Sequence, residues 1–213
     1  MNETSAVRVL RCGTRAVLVE VDGLDTVARL HAALRDHPLP GITELVPAAR
    51  TLLVHYDPAA TDHARLAATL PRVPLGTPST TAGDVLTVPV HYDGADLAAV
   101  AELTGVGVAE VIARHTAPLY RVAFCGFAPG FAYLTGLDPL LHLPRHATPR
   151  TRVPSGSVAV AGEFTGVYPR ESPGGWQLLG RTDLTLWNPD ATPPTPLTPG
   201  TGVRFTAVDT PPR

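Results

Sequence analysis

FCGFAPGFAYL (residues 124–134), TPRTRVPSGSVAVAG (148–162), TGVYP (165–169) and SPGGWQLLGRT (172–182) decide the fold of the 213-residue chain. Short β-branched and apolar runs alternate there with Gly and Pro, the pattern of brief strands joined by tight turns. Working outward, strands are expected at residues 120–124, 157–161, 166–168, 176–179, 185–187 and 203–207. That spacing predicts a closed antiparallel β-barrel. The proline-rich piece ATPPTPLTPG (191–200) reads as a rigid loop crossing the barrel.

Upstream, a strand is expected at 85–91, then two short helices at 97–103 and 108–115. Gly105 suits the left-handed residue after the first helix, and Gly107 the cap of the second. The first third reads as a separate α+β layer: strand 7–11, strand 16–21, helix, strands 42–46 and 51–56, helix 61–70. Leu24, Val27, Ala28, His31 and Leu34 repeat at helical spacing. Asp22 and Thr61 are the candidate N-caps of the two helices. Residues 71–83, PRVPLGTPSTTAG, read as a linker, which predicts domains at 1–83 and 84–213.

Composition excludes several chemistries. All 17 basic residues are arginine and none is lysine. A P-loop, a Schiff-base lysine, a Ser–Ser–Lys amidase centre and a biotinyl-lysine are therefore ruled out. No apolar run reaches the roughly 18–20 residues of a membrane span. The start lacks signal-peptide character, so a cytoplasmic location is expected. Cys12 and Cys125 form no CxxC, which gives no disulfide framework and no zinc site. His142 and His146 have metal-ligand spacing, but Pro144 breaks the helix that would aim them together, so no metal is expected. No basic stripe interleaved with aromatics points to nucleic acid.

Charge is uneven. Residues 118–182 hold six arginines against Asp138, Glu163 and Glu171, a net of +3. This makes an anion site there as reasonable as a solvated basic face. Arg150 and Arg152, two apart, would point the same way on a strand and could grip a carboxylate or phosphate. Gly126 and Gly130 flank Pro129 between Phe127 and Phe131, which suits either a pocket floor or a bent barrel corner. Ser172, Gly174, Gly175 and Trp176 suit either a second pocket wall or a Pro-Gly turn. The two loops are expected side by side at one rim. Arg181 is a further candidate. His115, at a helix end, is a weaker one, since such a residue commonly caps or packs.

The same phrases, with PGITELVPAARTLLVHYDP (40–58), VIARHTAPLYRV (111–122) and PGTGVRFTAV (199–208), resemble the KipI/PxpB family, whose members are also called allophanate hydrolase subunit 1 and the B-type subunit of 5-oxoprolinase. The resemblance covers essentially the whole chain. It implies a ferredoxin-like N-terminal domain and a cyclophilin-like barrel. It implies one subunit of an ATP-dependent enzyme opening the lactam 5-oxo-L-proline to L-glutamate, silent without a longer related-barrel subunit (C type) and a third, hydrolase subunit (A type). ATP would be shared with, or supplied by, a partner. Two other roles go with the resemblance: an inhibitor of a histidine kinase, and the carboxyltransferase half of a urea-carboxylase-type system. The chain departs from the family pattern at Ala132, usually Pro, at Phe164, often Gln, and at Gly107, more typically Ser.

Overall fold

The computed structural model describes residues 7–77 and 85–210. The chain divides into two compact units, residues 1–81 and 82–213. The boundary expected at 83/84 lies outside the described residues.

In the first unit, strands β1 (Arg8–Cys12) and β2 (Ala16–Glu20) form a hairpin, followed by helix α1 (Leu24–Asp36). Strands β3 (Ile42–Pro47) and β4 (Thr51–Tyr56) and helix α2 (His63–Thr69) complete it. The sheet runs β1-β2-β4-β3, antiparallel throughout. Strand alternation buries Val17, Val19, Leu52 and Val54 in one cluster with Val27, Leu30 and Leu34 of α1 and Leu66 of α2. Each such side chain contributes roughly 1.5–3 kcal/mol on burial.

Two expected caps move by one residue. Gly23, not Asp22, is the N-cap of α1. Asp62, not Thr61, caps α2, and its carboxylate accepts from Arg65 N–H at 2.8 Å. Thr61 instead closes the preceding turn, donating its N–H to Asp57 O at 3.0 Å. The start of the expected linker is tied down: Gly76 N–H donates to Arg29 O at 3.2 Å, and Arg29 Nε donates to Gly76 O at 3.3 Å.

The second unit contains β5 (Leu86–Val90), helices α3 (Leu97–Thr104) and α4 (Val108–Thr116), β6 (Tyr120–Cys125) and β7 (Ala132–Thr135). Then come β8 (Arg150–Val153), β9 (Ser157–Ala161), β10 (Phe164–Val167), β11 (Ser172–Gly174), β12 (Gln177–Arg181) and β13 (Gly202–Ala207). Gly105 ends α3 in the left-handed region at φ 71°, and Gly107 is the N-cap of α4.

Seven strands form one sheet in the order β12-β9-β10-β7-β6-β13-β5. Its two edges meet where His91 and Arg181 exchange backbone hydrogen bonds of 2.9 Å. Beyond that point the chain runs along β12, with Gly94 N–H on Leu179 O and Asp96 N–H on Leu178 O. The result is a nearly closed barrel. It is not wholly antiparallel: β13 and β5 pair in parallel. The strand expected at 185–187 is irregular chain, while β7, β8 and β11 are strands that the spacing missed. Within the 191–200 loop, Leu197 packs into the barrel core. That core also holds Tyr120, Val122, Leu134, Val160, Leu179 and Phe205, with Val100 of α3 and Val111 of α4. The separate ribbon β8–β11 stands beside the barrel.

Candidate functional site

A cleft of about 810 Å³ opens beside β12. Its walls are the 93–95 segment after β5, β8, the 154–157 turn, Pro169 and residues 178–185. Glycines let these walls close up. Gly156 has φ 79°, and a Cβ there would strike Thr182 O; a Cβ on Gly94 would strike Leu178 O. Arg150, Arg152 and Arg181 all line this cleft, so the structure brings together three residues that the sequence singled out.

The three are not equivalent. Arg150 Nη2 donates to Asp96 Oδ1 at 2.6 Å, and Leu178 N–H donates to Asp96 Oδ2 at 2.7 Å. Asp96 is buried. Burial alone would push its carboxyl up, but the hydrogen bonds from Arg150 and Leu178 and the Arg150 charge hold it below the usual carboxylate range. His146 Nε2 lies 3.2 Å from Asp96 Oδ1 without the alignment of a hydrogen bond. Arg150 Nη1 is buried and makes no hydrogen bond. The Asp96 bond holds the guanidinium in a fixed orientation, with about a third of the side chain still exposed. Arg152 pairs with Glu171 at 2.6 Å in the open, and Arg181 with Asp93 at 2.6 Å.

The net +3 of residues 118–182 does not carry into the cleft. Asp93 and Asp96 arrive from outside that segment, and each arginine faces an acid. Sequence reading missed Asp96, which directly precedes α3. Its partner is 54 positions away, and no spacing rule connects them.

The other expected site residues lie elsewhere. None of Gly126, Phe127, Pro129, Gly130, Phe131, Ser172, Gly174, Gly175 or Trp176 is among the residues lining the cleft. The two glycine-aromatic loops do meet, as expected: the Phe131 and Trp176 rings stand edge to face with centroids 5.4 Å apart. Yet both rings are buried and join Tyr168, Val153 and Leu178 in a packed cluster. Aromatic edges filled the space that the shared-pocket expectation left open. Phe164 packs edge-on against Phe124 and Tyr133.

His115 is corrected most clearly. It lies inside the barrel, fully buried, and not at a rim. Thr165 donates its hydroxyl proton to Ala159 O at 3.0 Å, so His115 Nε2–H donates to Thr165 Oγ1 at 2.9 Å. Nδ1 then accepts from the Tyr92 hydroxyl at 2.7 Å. Burial pushes the imidazole down to about 3 and the Tyr92 hydroxyl up. Both ring nitrogens are satisfied by a neutral ring, the arrangement of a core histidine. His142 and His146 diverge, His142 Nε2 meeting Leu137 O at 3.1 Å. Among the described residues no group of His, Cys, Asp and Glu is placed to hold a metal ion, and no helix is long and apolar enough to cross a membrane.

Comparison with known proteins places this architecture. The family described as carboxyltransferase domain, subdomain C and D, matches residues 7–197. A Bacillus subtilis (strain 168) protein named as the B-type subunit of 5-oxoprolinase is 36% identical over 205 residues, covering 84% of this chain and 82% of that protein. The protein of the same name from Escherichia coli O157:H7 is 50% identical over 121 residues, 55% of this chain and 56% of its own length. The crystal structure of TTHA0988 superposes with a TM-score of 0.78 at 40% identity, over 94% of this chain but only 41% of that one. The chain thus spans a little over half of the Escherichia coli relative and less than half of the TTHA0988 chain, and it belongs to the carboxyltransferase-domain family, subdomain C and D, together with the proteins named as B-type subunits of 5-oxoprolinase.

Proposed function

We propose that this chain is the B-type subunit of an ATP-dependent 5-oxoprolinase. The observation that carries the reading is the 36% identity to a protein of that name along 84% of the chain. An unstrained amide has a poor leaving group, so opening a lactam gains from phosphoryl activation. The partners in this reading are a longer related-barrel subunit of C type and a hydrolase subunit of A type, with ATP held jointly or by a partner. The strand order β1-β2-β4-β3 with both helices packed on one face supports a ferredoxin-like first domain. The nearly closed sheet supports a cyclophilin-like second domain.

Within the complex, the Arg150–Arg152–Arg181 cleft holds the carboxylate or phosphate of the ligand. Arg150 is the primary contact, because Asp96 fixes its orientation while about a third of its side chain stays exposed on the cleft wall. Arg152 and Arg181 can swing from Glu171 and Asp93 toward an anion, since both side chains are about half exposed or more. The carboxyltransferase name of the family favours one competitor, a carboxyltransferase half-site, which would make activity biotin-dependent. The test is genetic. Deleting the coding sequence in the native host should make 5-oxo-L-proline accumulate and stop its use as a nitrogen source, and supplying the chain should restore both. Normal consumption of 5-oxo-L-proline in the deletion strain would refute the reading, and a biotin requirement would favour the competitor.

A further inference from the structure

The loop between β6 and β7 is one motif that the cleft does not absorb. Its tip, Gly126-Phe127-Ala128-Pro129-Gly130, carries no polar side chain. Phe127 has φ 68°, the one positive-φ residue other than glycine among the described residues, and the residue is 57% exposed. A bulky residue in the left-handed region is strained, and exposure of a large aromatic goes unrewarded in water. Flexibility does not explain it. Gly126 N–H donates to Phe131 O at 3.2 Å, Ala128 N–H to Gly126 O at 2.7 Å and Phe131 N–H to Ala128 O at 3.0 Å. Gly130, itself at φ 81°, is wedged so tightly that a Cβ would come within 2.8 Å of Trp187 Cβ and 2.9 Å of Leu186 O. Behind the tip, the rings of Phe131 and Tyr168 stand edge-on to Phe127 at 5.2 and 6.0 Å.

The loop is thus a rigid, wholly apolar projection whose aromatic tip is held outward at a cost in backbone strain. Exposed Pro129 and half-buried Trp187 widen it into a small patch. Such strain collects at functional positions. An anionic or nucleotide ligand would find no side-chain donor here, whereas an apolar socket on another protein would bury the Phe127 ring as a central anchor.

We infer that the 126–130 loop is the anchor with which this chain docks onto the longer related-barrel subunit of its complex. The inference rests on the reading proposed above. Two findings support a protein as the occupant: the relatives are named as subunits, and in TTHA0988 a stretch 40% identical to this chain occupies only 41% of a longer polypeptide.

The experiment uses sedimentation velocity and calorimetry to measure association of the purified chain with the purified longer barrel partner. The variants are Phe127→Ala, Phe127→Gly and, as a control on a distant exposed side chain, Leu103→Ala. Both Phe127 variants should weaken association at least ~30-fold, the scale of an interface anchor, and the control should bind like wild type. Phe127→Gly removes the ring but suits φ 68°, so its thermal midpoint should stay level or rise; it decides the case even if Phe127→Ala folds poorly. Variants that bind within about threefold of wild type would overturn the docking role and leave the proposed function standing. A wild-type chain that never binds the longer partner would overturn that function and the inference with it. Self-association of this chain that vanishes in Phe127→Gly would overturn the choice of occupant.

Discussion

Inside the barrel, His115, Tyr92 and Thr165 are uncharged and pass hydrogen bonds in one direction to Ala159 O. In the cleft beside it, Arg150 and Asp96 are both charged and hold each other at 2.6 Å. Both groups have been taken largely out of water. The interior tolerates polarity only as a neutral, fully satisfied relay, because a lone charge there has nothing to offset its desolvation. The cleft tolerates charge because an opposite charge and a backbone N–H meet it, and because one side stays open to solvent. The difference separates a polar cluster that holds the fold from one that can meet a ligand. Of the two groups, the relay is fully satisfied, whereas Arg150 keeps about a third of its side chain exposed on the cleft wall.

The comparison can be broken at four points. The largest effect is expected at Asp96. Replacing it by Ala strands the Arg150 guanidinium and the Leu178 N–H, and should cost about 3–4 kcal/mol in urea denaturation, the scale for removing one member of a buried pair. A loss under about 1 kcal/mol would show that the pair does not organise the cleft floor.

Next is the interior relay. The His115 imidazole sits at about 3 in the fold against an ordinary value near 6.5. The unfolded chain therefore binds the extra proton between those values. The stabilisation is complete above about pH 6.5 and is lost as pH falls toward about 3. It should amount to about 3 kcal/mol between roughly pH 7 and pH 4. His115→Gln should flatten stability against pH by that amount, and an unchanged slope would show that the ring is accessible to protons.

Smaller again is ligand binding. Arg150→Ala should weaken 5-oxo-L-proline or ATP binding to the assembled complex by about 1.5–3 kcal/mol, the scale of a charge-assisted hydrogen bond. Unchanged calorimetric affinity would remove Arg150 from the site. The smallest effect on stability belongs to Arg152→Ala, which breaks only an exposed pair with Glu171 and should change stability by less than about 0.5 kcal/mol.

How much of this was legible in the sequence follows the range of the interactions. Period-2 and period-3.6 patterns located β1 to β4, the helices and Gly105, because those signals are local. β7, Ala132–Thr135, was missed because its neighbours in the sequence look like loop. The caps slipped by one residue because Asp22-Gly23 and Thr61-Asp62 offer adjacent candidates. In the candidate cleft, residue type and segment charge single out Arg150, Arg152 and Arg181. They do not single out Asp96, because a pair 54 residues apart leaves no periodic trace. The aromatic loops were read as pocket walls because composition reveals that rings must be buried but not what buries them. Here Phe131, Tyr168 and Trp176 bury one another.

The central claim is that this chain completes an enzyme it cannot be alone. The direct measurement is 5-oxo-L-proline-dependent ATP hydrolysis with the chain alone, with the two proposed partners together, and with all three mixed. The account predicts turnover only in the three-part mixture. Robust turnover with the single chain, or full turnover with the partners in its absence, would contradict the account.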